Sequence, residues 1–174
     1  MGISKVSDRR HTERAIARAF RYDRKVIIEE GIKGREIECS VLGNDSPRAS
    51  LPGEVIPYRD FYDYRDKYLE GKTQFRIPAN LPPSVIRKVQ RLAVEAYQAV
   101  GCSGMARLDL FLEDGTGKVY VNEINTIPGF TEISMYPKLW GVSGIPFGRL
   151  VEKLIRLGIE RHRQKKRCLE RLCR

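Results

Sequence analysis

Apolar positions recur along this chain at two periods, and those periods divide it into helices and strands. Over residues 8–22, Ala15, Ile16, Ala19 and Phe20 fall at helical spacing, with Ser7 or Asp8 placed to cap the start. Lys25-Val26-Ile27-Ile28-Glu29-Glu30 reads as a strand entering a boundary, with Gly31 and Gly34 flanking the next turn. Glu36-Ile37-Glu38-Cys39-Ser40-Val41-Leu42 alternates as a half-buried strand does. The strongest helical pattern covers residues 84–100, where Val85, Val89, Leu92, Ala93, Ala96 and Val100 line one face. Pro82-Pro83-Ser84 opens it and Gly101 stops it. Met105–Leu112 and Lys118–Asn125 then read as two strands joined through Asp114-Gly115-Thr116-Gly117, a hairpin with clear turn chemistry. A short helix is expected within 131–142, and a last helix from Pro146 into the C-terminal tail.

Residues 43–80 break this regularity. They hold Pro47, Pro52, Pro57 and Pro78, with Tyr58, Phe61, Tyr62, Tyr64 and Tyr68. Short strands are expected near 48–51 and 54–57. From Arg59 to Gln74 neither period is clear. A long aromatic and charged loop inside a compact domain is commonly a functional lid or omega-type loop, and otherwise a loop whose tyrosines only pack.

Composition narrows the class. A chain of 174 residues with 41% hydrophobic content can bury a core, and it is not composed like a disordered segment. It has no apolar run long enough to span a membrane and no apolar signal-peptide core, so a cytoplasmic location is the default. Cys39, Cys102, Cys168 and Cys173 lack zinc-ligand spacing and read as reduced thiols. The net charge of +10 is uneven: residues 156–174 hold eight Lys/Arg against two Glu. That stretch reads as the end of a helix with a solvated basic face, where cations also suit the helix dipole. It has no aromatic interleaving or nucleic-acid motif, which argues against nucleic acid as the partner.

The hairpin carries the candidate chemistry. Period 2 places Arg107, Asp109 and Phe111 on one face, with Leu108, Leu110 and Leu112 on the other. Glu123 and Asn125 share a face of the return strand. A turn centred near 115–116 sets Asp109 opposite residue 122 or 123, which brings Asp109 and Glu123 together. Two carboxylates and an amide oxygen are hard donors that suit Mg²⁺. On spacing alone, however, such a pair is more often a surface salt-bridge partner. Arg107 either pairs with Asp109 or neutralises a reacting oxyanion.

Four strings add what spacing does not. Glu123-Ile124-Asn125-Thr126-Ile127-Pro128-Gly129-Phe130-Thr131 resembles the signature of the D-alanine–D-alanine ligase family. Ile28-Glu29-Glu30-Gly31-Ile32 with Gly34-Arg35-Glu36 resembles its adenine and ribose segment. Phe61-Tyr62-Asp63-Tyr64-Arg65-Asp66-Lys67-Tyr68-Leu69 resembles its omega loop, and Gly104-Met105-Ala106-Arg107-Leu108-Asp109 its Arg-x-Asp strand. The resemblance implies residue roles. Glu29, Glu30 and Ile32 line the adenine pocket, Glu36 accepts from the ribose hydroxyls, Phe61 packs on the nucleotide and Lys67 reaches its phosphates. Asp109, Glu123 and Asn125 hold two Mg²⁺ ions, with Mn²⁺ as an alternative. Arg107 and the Gly129 N–H form an oxyanion hole. Ser134 and the Met135 backbone hold the second D-alanine, and Tyr68 helps close the loop. Glu30 stands where many relatives have Lys, a harmless change if the backbone makes that contact.

The implied fold is α+β, the C-terminal lobe of an ATP-grasp enzyme: a mainly antiparallel sheet with packed helices. Residues 1–28 correspond to a remnant of the central domain, 29–160 to the catalytic domain with its omega loop near 59–76, and 161–174 to a basic helical tail. The implied activity is ATP-dependent joining of two D-alanines through an acyl phosphate, for peptidoglycan precursors. A D-alanine–D-lactate ligase, another carboxylate–amine ligase or a non-catalytic remnant are the alternatives. Gly2-Ile3-Ser4-Lys5-Val6 resembles the stretch after the family's serine-rich phosphate loop. The expectation is therefore an N-terminally truncated chain, inactive alone, whose partners are ATP, D-alanine and a missing N-terminal lobe. A family-type homodimer is compatible with this reading.

Overall fold

The computed structural model describes residues 2–56, 74–131 and 133–172, with side chains described through Arg167. The chain divides into two units, Met1–Lys33 and Gly34–Arg174.

In the first unit a single 3₁₀ turn, Arg9–His11, leads into α1, Thr12–Ala19. The Asp8 carboxylate accepts from the Arg10 backbone N–H at 3.0 Å, so Asp8 is the cap that the sequence allowed. The strand expected at 25–30 does not form. Residues 25–33 are irregular, and Ile27 and Ile28 are each 73% exposed. Strand propensity acts only where a ladder partner exists, and this stretch has none among the described residues.

In the second unit the strands are β1 (Gly34–Gly43), β2 (Arg48–Ala49), β3 (Gly53–Ile56), β4 (Gln74–Arg76), β5 (Gly104–Glu113) and β6 (Val119–Asn125). The helices are α2 (Pro83–Ala99), α3 (Met135–Val142) and α4 (Phe147–Leu172). The sheet runs β4-β3-β1-β5-β6, with β2 pairing on β1, and every pairing is antiparallel. This is the expected α+β class. β4 forms from residues expected to end a loop.

Alternation explains how the sheet is clothed. Ile37, Cys39 and Val41 of β1, with Ala106, Leu108, Leu110 and Leu112 of β5, pack against Val89, Ala93 and Tyr97 of α2. The opposite face is covered over part of its area. There Leu42 joins Tyr136, Trp140 and Leu150 from α3 and α4, and Val55 joins Met135 and Leu139. β1 was expected to be half-buried. Instead it is buried from Ile37 to Gly43, because it lies inside the sheet and carries helices on both sides. Glu38 and Ser40 are therefore buried polar residues.

The β5–β6 hairpin contains a β-bulge. Asp109 pairs with Glu123, but the next residue, Leu110, pairs with Val121, so Asn122 is left without an opposite number. The turn is supported by Glu113 N–H donating to Lys118 O at 2.9 Å, with Gly115 and Gly117 at positive φ.

Candidate functional site

The partly uncovered face of the sheet presents two rows of polar side chains. Strand register places Glu38, Asp109 and Glu123 in one row across β1, β5 and β6. Ser40, Arg107 and Asn125 form the next. Arg107 lies along the rows and reaches back to the first. Its Nε donates to Asp109 Oδ1 at 2.7 Å and its Nη2 to Asp109 Oδ2 at 2.8 Å, a bidentate pair. Nε also lies 3.0 Å from Glu38 Oε2. The Arg107 side chain is 11% exposed. Burial alone would discourage its charge. The hydrogen bonds to Asp109 and the carboxylates of Glu38, Asp109 and Glu123 outweigh that, and the guanidinium is held above its ordinary pKa.

Asn125 completes the group. Its Nδ2 donates to Asp109 Oδ2 at 3.2 Å and to Glu123 Oε1 at 3.3 Å. The expected meeting of Asp109, Glu123 and Asn125 therefore holds, and Arg107 is paired with Asp109. Among the described residues no cluster of three or more His, Cys, Asp or Glu is arranged around a common point. The convergent set is two carboxylates and one amide. It is an all-oxygen donor set once the Asn125 amide turns its Oδ1 inward, and its chemistry fits Mg²⁺. Three carboxylates against one guanidinium leave this cluster with a formal surplus of two negative charges.

The loop after β6 brings Gly129 against Ser134. A Cβ at Gly129 would meet Ser134 Oγ at 2.8 Å, so a larger residue could not sit there without moving that hydroxyl. Ser134 Oγ accepts from Thr131 N–H at 3.0 Å and lies 2.8 Å from Thr131 Oγ1. Ser134 is the N-cap residue of α3 but makes no side-chain cap bond. Its hydroxyl serves the loop instead. The Met135 side chain is buried against Val55 and Leu139, so any ligand contact at Met135 runs through its backbone.

The remaining expected residues are distributed as follows. Glu36 lies on β1 on the same face, opposite Phe111 and Val55. Glu29 and Glu30 are exposed and Ile32 is half-buried, all within the first unit. Phe61, Lys67 and Tyr68 lie outside the described residues. The sequence reading missed Glu38. Its parity with Glu36 was visible, but its place beside Asp109 depends on the pairing of β1 with β5, two strands about seventy residues apart.

The chain matches the family described as D-ala D-ala ligase C-terminus over residues 1–156. It belongs to that family. A D-alanine--D-alanine ligase from Solibacter usitatus (strain Ellin6076) is 58% identical over 165 residues, which is 95% of this chain and 51% of that protein. The structure of the D-alanine-D-alanine ligase from Coxiella burnetii superposes with a TM-score of 0.84 at 43% identity, covering 96% of this chain and 44% of that one. The D-alanine--D-alanine ligase from Bacillus anthracis complexed with ATP gives a TM-score of 0.77 at 29% identity, covering 95% of this chain and 53% of that one. The chain thus spans about half the length of the curated relatives it matches. No described helix is long and apolar enough to cross a membrane.

Proposed function

We propose that the protein carrying this chain joins two D-alanine molecules to D-alanyl-D-alanine at the expense of ATP, and that this chain supplies the charged floor of the reaction site. The observation that carries the reading is the convergence of Arg107, Asp109, Glu123 and Asn125 on one open sheet face, in a chain of this family.

Such a ligation has two steps. A D-alanine carboxylate attacks the γ-phosphate of ATP, giving an acyl phosphate and ADP. The amine of the second D-alanine then attacks the acyl carbon, and phosphate leaves as the peptide bond forms. Negative charge builds on oxygen in both steps, so a fixed cation beside the reacting atoms favours the transition state. Arg107 meets this requirement because its carboxylate neighbours keep it charged against the cost of burial, and the bidentate pair with Asp109 holds its plane. Asp109, Glu123 and Asn125 would hold Mg²⁺ or Mn²⁺, whose chemistry is to offset phosphate charge. The Gly129 N–H is assigned to the oxyanion, and Ser134 with the Met135 N–H to the carboxylate of the second D-alanine. Glu36 is assigned to the ribose, and the Glu29–Ile32 stretch to the adenine through its backbone. The cytoplasm is the assigned location, where ATP and free D-alanine are available.

The test is product analysis of the protein carrying this chain, incubated with ATP, Mg²⁺ and D-alanine, with D-lactate and D-serine as competitors. D-Alanyl-D-alanine with equimolar phosphate is expected. A depsipeptide or mixed dipeptide as the main product would replace this reading with the neighbouring acceptor class. ATP hydrolysis without any ligated product would end it.

A further inference from the structure

Two carboxylates from different strands engage the Arg107 guanidinium, and of the two Asp109 is the one that also accepts from Asn125 and stands beside Glu123. Asp109 belongs to the donor set proposed for a cation, yet in this structure both its oxygens accept from Arg107. A cation on the same carboxylate competes with the guanidinium for its charge and weakens the bidentate pair, and a partly buried guanidinium with a weakened partner is costly. Glu38 is already in place for this exchange. It is 5% exposed, stands on β1 directly opposite Asp109, and sets Oε2 3.0 Å from Arg107 Nε. Nε donates to Asp109 Oδ1 at 2.7 Å and forms an ion pair with Glu38 Oε2 at 3.0 Å. Turning the Nε–H from Asp109 toward Glu38 would keep the guanidinium against a carboxylate.

We propose that Glu38 is a positioning residue that retains the Arg107 guanidinium when Asp109 is drawn away from it. This rests on the reading of Arg107 and Asp109 given under Proposed function. A carboxylate with only a structural role at this position would be needed equally whether or not Asp109 engages Arg107. A positioning carboxylate becomes decisive only when Asp109 does not.

That difference can be measured without metal or turnover, because Asp109→Asn imitates an Asp109 whose charge is committed elsewhere. The readout is hydrogen exchange of the Arg107 Nε–H, followed by nitrogen-15 NMR in four folded proteins: the parent, Glu38→Gln, Asp109→Asn and the double variant. The expected result is a protected Nε–H in the parent and in each single variant, within about threefold of one another, and exchange at least about tenfold faster in the double variant. Additive or absent effects in the double variant would overturn the proposal. If Glu38→Gln does not fold, Glu38→Asp, which retains the charge on a shorter stem, takes its place in the cycle. There, intermediate protection in the Asp109→Asn background is expected, and none would count against the proposal. In the protein carrying this chain, Glu38→Gln should lower turnover by about 10-fold or more with the KM for ATP little changed, and should cost nothing further in an Arg107→Ala background. A protein that makes no dipeptide while the exchange pattern holds would refute the functional reading and leave Glu38 in its role.

Discussion

Among the described residues the sheet carries two arginine–carboxylate clusters, one on each face, and their stoichiometry is reversed. On the α2 face, one carboxylate serves two arginines. Glu54 takes Arg35 at 2.7 and 2.8 Å and Arg76 at 3.1 Å, and Arg35 adds Asn80 O at 3.0 Å. On the opposite face, one arginine serves two carboxylates, and Glu123 stands in the same row. The first cluster is a clasp. It ties β1, β3 and β4 to the segment before α2, and the charge left over belongs to Arg76, whose side chain is 52% exposed. The second is short of positive charge among the described residues. A surplus of carboxylate around a partly buried cation is poor architecture for stability, and it suits a place where another cation arrives. Counting partners, rather than finding salt bridges, separates the two.

The largest test of that contrast exchanges arginine for lysine in each cluster. Lysine keeps the charge but loses the planar fork. Arg107→Lys should lower turnover of the protein carrying this chain by about 10²–10³-fold, the range for losing one well-placed oxyanion donor. Arg35→Lys should leave it within about threefold of the parent. Equal losses would show that the distinction between clasp and site is wrong. Next in size is Glu54→Gln, which leaves two arginines at a carboxylate only 8% exposed. Urea unfolding should report a loss of about 2–3 kcal/mol.

The same residue predicts an acid limb. Hydrogen bonds from Arg35 lower the Glu54 pKa, burial opposes them, and the charges of Arg35 and Arg76 add to the lowering. A carboxyl with a depressed folded pKa stabilises fully above its unfolded value, about 4.3, and loses that contribution as pH falls through the folded one. The stabilities of parent and Glu54→Gln should therefore converge on acidification below about pH 4. A constant gap down to pH 2 would assign the stabilisation to shape rather than charge. The smallest effect belongs to Arg76→Ala. Its side chain is about half exposed, and thermal melting should register a loss of less than about 1 kcal/mol.

Much of this was legible in the chain, unevenly. The β5–β6 hairpin was readable because its signals are local: alternation, a glycine turn and two return residues of like parity. That reading placed Asp109 within one residue of its observed partner. Glu38 and the Glu54 clasp were not readable, because each depends on strands that meet only after the sheet assembles. β1 shows the same limit from the other side. Its alternation of polar and apolar residues suggested an open face, but its central position and α3 closed it. Residues 25–30 have the β-branched composition of a strand without a neighbour to make them one. Charge excess in the tail proved uninformative about the site: α4 continues into it, and the family match ends at residue 156.

The bulge at Asn122 gives the last strand a change of phase. Val119 and Ile124 are five positions apart, and simple alternation would send them to opposite sides, yet both pack with the α2 core. One supernumerary residue lets a single strand keep step with the oily side at both ends and still turn Glu123 and Asn125 outward. Deleting Asn122 would therefore act as a frame error in space rather than a local trim. Either the two polar side chains would be carried into the oil, or Val119 would be carried out of it. In a lineage of such chains, substitutions at residue 122 should be tolerated far more readily than gaps.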